Sequence, residues 1–263
     1  MKLPFFSFGN RKLGLALGGG AVLGAAHIGA LKAIEEHNIP ISYIAGTSIG
    51  ALVGALFAFG KPWHELRDIA MNMEWINISS LSFSGPGLLS NCKICNLVEK
   101  VIGKSKIEDA PIPVAIVTTD LTTGKRKILT DGDLGKAIQA STCIPGIYQP
   151  VEYGEALLVD GGLTENVPVE AVRNLGAKKV IGVDLSGYKQ YKKPKNAIDT
   201  LLLSFEITLT NLTHIKASKA DMRIQPNLSS FNMVDTNQVA KLIETGYQKA
   251  NKELKEKFSL QFL

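Results

Sequence analysis

Residues Gly46-Thr47-Ser48-Ile49-Gly50 set one hydroxyl between two glycines, with an apolar stretch on either side. In a G-x-S-x-G run of this kind, a sharp strand-to-helix turn holds the serine backbone in a strained conformation. The glycines remove side chains that would meet the neighbouring chain or block a substrate. Ser48 is then pushed into solvent as a nucleophile, at a helix N-terminus whose unpaired N–H groups favour developing negative charge. The same residues allow a plainer reading, in which Thr47 or Ser48 only caps the helix.

A nucleophile needs a base. The chain holds four histidines, His27, His37, His64 and His214. The order Ser, acid, His found in α/β-hydrolases needs a late histidine in a loop. His214 lies instead in "LLLSFEITLTNLTHIKASKA", which reads as a helix, and His27 lies in the helix after the first strand, where a packing or hydrogen-bonding role is expected. A Ser-His-Asp triad is therefore disfavoured. The remaining candidate is Asp160 in "ALLVDGGLTENVPV", where an apolar strand ends in a carboxylate followed by Gly161 and Gly162. The carboxylate is expected to emerge at the C-terminal edge of its strand, the edge where parallel sheets build their sites; an ordinary Asp-Gly-Gly turn is the alternative.

A third stretch, "LALGGGAVLGAAHIGAL", reads as strand, glycine-rich loop and helix. Gly18, Gly19 and Gly20 let backbone N–H groups converge on an anion, either a phosphate or the oxyanion of a tetrahedral intermediate. A dinucleotide fingerprint would need G-x-G-x-x-G and an acid closing the second strand, and this chain has neither.

These pieces must be carried by regular elements. Strands are expected at "KLGLAL", "ISYIAG", "PVAIVTTD", "KRKILT", "EALLVD" and "KKVIGVDL", and helices at "AAHIGALKAIEEH" and at "IGALVGALFAFG", the latter closed by Gly60. Short apolar strands separated by helices predict an α/β fold with a mainly parallel central sheet and helices on both faces. Residues 72–92, rich in Ser, Gly and Asn, read as a long loop. The final stretch puts Val239, Leu242, Ile243, Tyr247 and Leu254 near one face of a helix behind an Asp or Thr cap.

The composition bounds the rest. A chain of 263 residues with 45% hydrophobic content has ample surface to bury in one large domain or two small ones. Its longest apolar run, 49–59, falls well short of the roughly 20 residues of a membrane span. The start lacks the apolar core and cleavage site of a secretion signal, and three cysteines cannot build a disulfide framework. A cytoplasmic location is the expectation. Cys92 and Cys95 form a C-x-x-C pair without a second pair or histidines at zinc spacing. The net charge of +5 is modest, and the six lysines of 178–195 read as a solvated run, although a basic patch can attract phosphate headgroups or nucleic acid; no nucleic-acid partner is expected. Phe5, Phe6 and Phe8 with Lys2, Arg11 and Lys12, and Trp75, Leu81, Phe83, Leu88 and Leu89 of the middle loop, suit either core cover or contact with an inner membrane surface.

Glycine-rich loop, G-T-S-I-G and D-G-G, in that order and each at a strand end, resemble the patatin-like phospholipase family, and the last helix looks like that of its small bacterial-type members. The likeness covers about 12–187 and includes "ASTCIPGIYQPV" and "NVPVEAVRNLGAKKVIGVDLS". It implies a patatin-like three-layer sandwich as a single domain over 1–263, with a helical C-terminal part from about 196. It also implies hydrolysis of a lipid acyl ester, phospholipid or lysophospholipid, by a Ser-Asp dyad without metal or cofactor. In the terms of that family Ser48 is the nucleophile, Asp160 the base and Gly18, Gly19 and Gly20 the oxyanion hole, with Gly24, Gly46, Gly50, Gly161 and Gly162 as motif glycines. One departure stands out: the family's usual loop arginine falls on Leu23, and its last loop glycine on Ala21. The alternative is a lipid-binding or regulatory protein that keeps the fold with little activity. Oligomeric state is open.

Overall fold

Leu13, Leu15 and Leu17 leave the first strand on one side and Ala16 on the other, and all of them are buried. That alternation of large with small, where a half-exposed strand would alternate apolar with polar, marks a strand covered on both faces. The computed structural model describes residues 12–72, 89–187, 193–233 and 235–262. The aromatic start (Phe5, Phe6, Phe8), the middle-loop residues Trp75, Leu81, Phe83 and Leu88, and Lys189 and Lys192 lie outside the described residues.

The elements run β1 (Leu13–Leu17), α1 (Ala25–Glu36), β2 (Tyr43–Thr47), α2 (Ile49–Ala58), α3 (Trp63–Asn72), α4 (Lys93–Ile102), β3 (Val114–Asp120), β4 (Lys125–Leu129), α5 (Leu134–Ser141), β5 (Val151–Tyr153), β6 (Ala156–Asp160), α6 (Gly162–Glu165), α7 (Val169–Asn174), β7 (Lys179–Val183), α8 (Ala197–Ala217), β8 (Met222–Ile224) and α9 (Val239–Phe262). The strands form one sheet in the order β5-β6-β3-β2-β1-β7-β8, with β4 also paired to β3. From β8 to β3 every pairing is parallel. β4, β5 and β6 pair antiparallel.

Two cores follow from the two faces. Leu15, Leu17, Ile44 and Ile116 pack with α1, α2, α5 and α9. Ala16, Ala45, Ala115 and Val117 pack with Val169, Ala171 and Val172 of α7 and with Ala217 at the end of α8. The small residues on this second face let α7 sit close: a Cβ on Gly14 would stand 2.7 Å from both Ala177 Cβ and Val172 Cγ2. This is the α/β sandwich with helices on both faces that the alternation predicts.

The terminal helix buries Val239, Leu242, Ile243 and Leu254, as its pattern requires, and adds Ala250 and Phe258. The short 3-10 turn leading into it is capped by Asp235, which accepts Asn237 N–H at 3.0 Å. It crosses α1 where Gly29 faces the Ile243 carbonyl and Gly246 faces the Ala26 carbonyl, contacts too close for any side chain.

The strand order decides how the site is assembled. β3 residues Ile116 and Val117 pair with β4 and also stand beside β2, while Thr118 to Asp120 pair with both β4 and β6. A strand has two edges, so β2 and β6 share the edge opposite β4. β2 runs up that edge and ends with Thr47 against Val117; β6 runs down it and ends with Asp160 against Thr118. Asp160 closes its strand, as expected, but β6 is not one of the parallel strands. Asp160 arrives head-on, from an antiparallel strand, and this abuts the two strand ends at consecutive residues of β3.

Candidate active site

Ser48 has φ +55° and ψ −126°, outside the regions a non-glycine residue favours. The strain is held by contacts on every side. Ser48 N–H is donated to Ser141 Oγ at 2.8 Å, and Ser141 Oγ–H in turn to the Val117 carbonyl at 2.7 Å. A side chain on Gly46 would run into the Ala51 backbone, and one on Gly50 into the Leu17 and Gly18 carbonyls. The helix-cap alternative does not fit: Ser48 makes no side-chain cap bond, and Thr47 Oγ1–H is donated to the Glu165 carbonyl at 2.8 Å. Ser48 is not pushed into bulk solvent as the motif suggests. It is only 7% exposed and faces a cavity.

Asp160 shares that cavity. Its N–H is donated to the Cys143 carbonyl at 2.9 Å, and Gly162 N–H is donated to its Oδ1 at 2.8 Å. Gly161 lies against the Val117 carbonyl, with no room for a side chain. Burial pushes the Asp160 carboxyl up to about 6, while hydrogen bonding from the Ser48 hydroxyl and from Gly162 N–H pulls the other way.

The glycine-rich loop lies beside both. A Cβ on Gly19 would stand 3.1 Å from Ser48 Cβ, and Gly24 packs directly on Ile49. The loop amides are not equivalent. Gly18 N–H is donated to the Val183 carbonyl at 3.1 Å and Gly19 N–H to Asn166, at 3.0 Å to Oδ1 and 3.3 Å to the main-chain oxygen. Gly20 and Ala21 line the cavity and their N–H groups have no partner among the described residues. An anion here would therefore meet Gly20 and Ala21, one residue further along than Gly18 to Gly20 suggests.

Ala21 has φ +51°, a left-handed conformation that costs an L-residue about 1–2 kcal/mol. Ala21→Gly is expected to hold or raise the thermal midpoint, since relief of that strain offsets the added flexibility of the unfolded chain, whereas Ala21→Val should lower it by several degrees. A midpoint lowered by the glycine would contradict this account. Leu23, at the position of the usual arginine, is 3% exposed and forms part of the apolar cavity wall.

The cavity holds about 290 Å³ and is walled by Leu23, Ile144, Pro145, Leu163, Leu209 and Met233. Thr210 and Thr213 of α8 also line it. Among the described residues its only charged linings are Asp160 and Glu206.

No histidine lines it. His27 is fully buried behind the loop, its Nε2 2.7 Å from the Gly18 carbonyl, and burial lowers it to about 4. His214 bonds Arg223 at 2.8 Å and His37 bonds Asn251 at 2.8 Å. The C-x-x-C pair is likewise apart: both thiols bond the Gln139 side chain, and burial raises Cys95 to about 11, away from a reactive thiolate. Sequence reasoning missed three residues that hold the site: Ser141, Asn166 and Arg126. Arg126 on β4 pairs with the fully buried Glu165 at the end of α6. "STCIPG" and "ENVPV" flank Asp160 in the chain, and small polar residues bracketed by apolar ones there were the available signal.

The chain is 33% identical over 200 residues to the "Lysophospholipase NTE1" of Debaryomyces hansenii, covering 73% of this chain and 13% of that protein. It is 38% identical over 179 residues to an uncharacterized NTE family protein of Mycobacterium tuberculosis, covering 67% of this chain and 49% of that one. It thus spans between about an eighth and a half of these relatives' lengths. The fold of VipD from Legionella pneumophila superposes over 93% of this chain and 67% of that one with a TM-score of 0.64 at 12% identity. The type III effector ExoU superposes over 94% of this chain and 53% of that one with a TM-score of 0.54 at 16% identity. The patatin-like phospholipase model matches residues 15–173, the stretch that carries the glycine-rich loop, the Ser48 turn and the Asp160 strand end, and the chain belongs to the patatin-like phospholipase family.

Proposed function

We propose that the chain is a serine hydrolase that cleaves acyl esters of lipids, phospholipid or lysophospholipid, with Ser48 as nucleophile and Asp160 as its base. Ser48 Oγ attacks the ester carbonyl while its proton passes to Asp160. The oxyanion of the tetrahedral intermediate is met by Gly20 and Ala21 N–H in the loop that begins at Gly18. Collapse releases the alcohol, which takes the proton from Asp160, and water admitted to the same carboxylate then frees the fatty acid from Ser48. As written, the reaction needs no metal or cofactor.

The observation that carries this reading is that Ser48 and Asp160 line one cavity from abutting strand ends: a strained hydroxyl free of any capping role beside a carboxylate that burial has pushed up to about 6. A carboxylate of ordinary acidity is a poor base for a hydroxyl, and desolvation brings it nearer the working pH. The cavity supports a lipid chain: its walls are mainly apolar, and about 290 Å³ lies at the lower end of small-molecule sites, which suits one acyl chain better than two. The relative named lysophospholipase supports the same substrate class. No helix among the described residues is long and apolar enough to cross a membrane.

Labelling by a fluorophosphonate tests the reading. Wild type should be labelled stoichiometrically, with the adduct mapped to Ser48 by peptide mass spectrometry. A lipid-binding protein with faded activity would instead retain binding of a fluorescent fatty acid and leave Ser48 unlabelled.

A further inference from the structure

Three consecutive peptide units of the glycine-rich loop differ in how they are anchored. The Gly18–Gly19 unit is held at both ends, its carbonyl by His27 Nε2 at 2.7 Å and its N–H by Asn166 at 3.0 Å. The Gly20–Ala21 unit is held through its carbonyl, which accepts Leu23 N–H at 3.1 Å. Between them lies the Gly19–Gly20 unit, whose N–H has no partner among the described residues and whose residues line the cavity with Ser48. Both free amides, those of Gly20 and Ala21, thus belong to units fixed from behind or caught between fixed neighbours.

The two side chains that hold the Gly18–Gly19 unit are otherwise hard to explain. His27 is fully buried in α1 among Ala26, Ile28 and Ala30, where an aliphatic side chain would pack at lower desolvation cost. Because a carbonyl can only accept, its Nε2 must carry the hydrogen, and Nδ1 has no partner among the described residues. The ring's one hydrogen bond goes to the loop. Asn166 comes from the segment that follows Asp160, and its Oδ1 would lie 3.5 Å from a Cβ on Gly162.

We propose that His27 and Asn166 are positioning residues that clamp the Gly18–Gly19 peptide from opposite ends, and so aim the Gly20 and Ala21 amides at the oxyanion. His27 lies outside the cavity, and Asn166, though it lines the cavity, has its Oδ1 engaged by Gly19 N–H. The clamp makes the oxyanion site part of the folded ground state, so that no reorganisation is needed as charge develops. Asn166 also ties the base segment to the loop, so one stretch of chain sets the geometry of both. This proposal rests on the reading of Ser48 as nucleophile.

The test uses the full chain, a soluble nitrophenyl ester and a trifluoromethyl ketone, which adds to an active serine to give a tetrahedral oxyanion. Asn166→Ala, at a partly exposed position, is expected to keep the wild-type thermal midpoint and to lose kcat by about 10- to 100-fold with KM within about twofold, somewhat less than deletion of an oxyanion donor itself. The inhibition constant of the ketone should rise by the same factor as kcat/KM falls. His27→Leu should behave alike, and His27→Gln, which restores an N–H donor, should recover at least a fivefold part of the loss. A merely structural role would lower the folded fraction without this parallel change in ketone affinity. Asn166→Ala with kcat and ketone affinity within twofold of wild type would overturn the clamp, as would His27→Gln no better than His27→Leu. If Ser48→Ala in the same assay kept full turnover, the reading of the nucleophile would fail. An inactive Ser48→Ala beside an unaffected Asn166→Ala would sink the clamp alone.

Discussion

Ser48→Ala is expected to lower kcat/KM for a soluble ester by at least about a thousandfold, since removal of a nucleophile leaves only what binding and oxyanion stabilisation supply. The variant should fold. Ser48 N–H to Ser141 is a main-chain donor and survives the change, as does the Thr47 bond to Glu165 that locks the turn. The φ of +55° stays strained for alanine, so no stabilisation is expected from the backbone either. Denaturation midpoints within about 2 °C of wild type, with ester turnover reduced to background, are the expected pair of results. Full turnover in a folded Ser48→Ala chain would remove Ser48 from the chemistry.

Asp160→Asn should be as inactive as Ser48→Ala and, at neutral pH, more stable than wild type. The folded carboxyl titrates near 6 against an ordinary value of 3.8, because burial disfavours the charged form. Between about pH 4 and 6 the folded chain therefore holds a proton that the unfolded chain has released, and stability falls as pH rises through that window. Above it, the ionised Asp160 costs the fold on the order of 2–3 kcal/mol, which asparagine would restore. At pH 4 the difference should shrink toward zero. His27 acts in the opposite direction, since burial lowers it to about 4 and stability is lost as pH falls from its ordinary 6.5. That contribution is common to both chains and cancels in the comparison. Urea midpoints at pH 4 and pH 7 measure the effect, and an asparagine variant less stable than wild type at pH 7 would contradict it. The same ionisation governs rate: wild-type kcat/KM should rise about tenfold per pH unit below 6 and level off above 7. A plateau already reached at pH 5 would mean that Asp160 is not the base or is not desolvated.

The cost of the ionised carboxylate is intelligible as the price of reactivity. A site that held Asp160 in ordinary solvation would be more stable and a weaker base. Glu165 offers a contrast within the same segment. Glu165 is fully buried and its carboxyl likewise pushed up, but Arg126 and the Glu170 N–H face it, so its charge is compensated and its role is to fasten α6.

The amino-acid sequence alone was enough to place the three motifs at strand ends and to call for an α/β sandwich, because those signals are local. Apolar runs of strand length, glycines at turns and an amphipathic terminal helix depend on residues near one another in the chain, and β1, β2, α1, α2 and α9 appear where their patterns require. The nature of the nucleophile turn was legible for the same reason: Gly46 and Gly50 flank Ser48 by two residues each way, and the close contacts they permit are set within that turn and the strand beside it. What the local pattern could not contain was direction. "EALLVD" reads the same whether its strand runs with the sheet or against it, and only its pairing with β3 turned Asp160 to meet Ser48 head-on. Nor could it show which loop amides remain free, since the partners of Gly18 and Gly19, Val183 and Asn166, lie 165 and 147 residues away. Hydrogen bonds and burial across such separations exist only once the sheet has formed. That is why the motifs were written in the sequence, while the electrostatics of Asp160, the clamp on the loop and the cavity wall supplied by α8 were decided by tertiary packing.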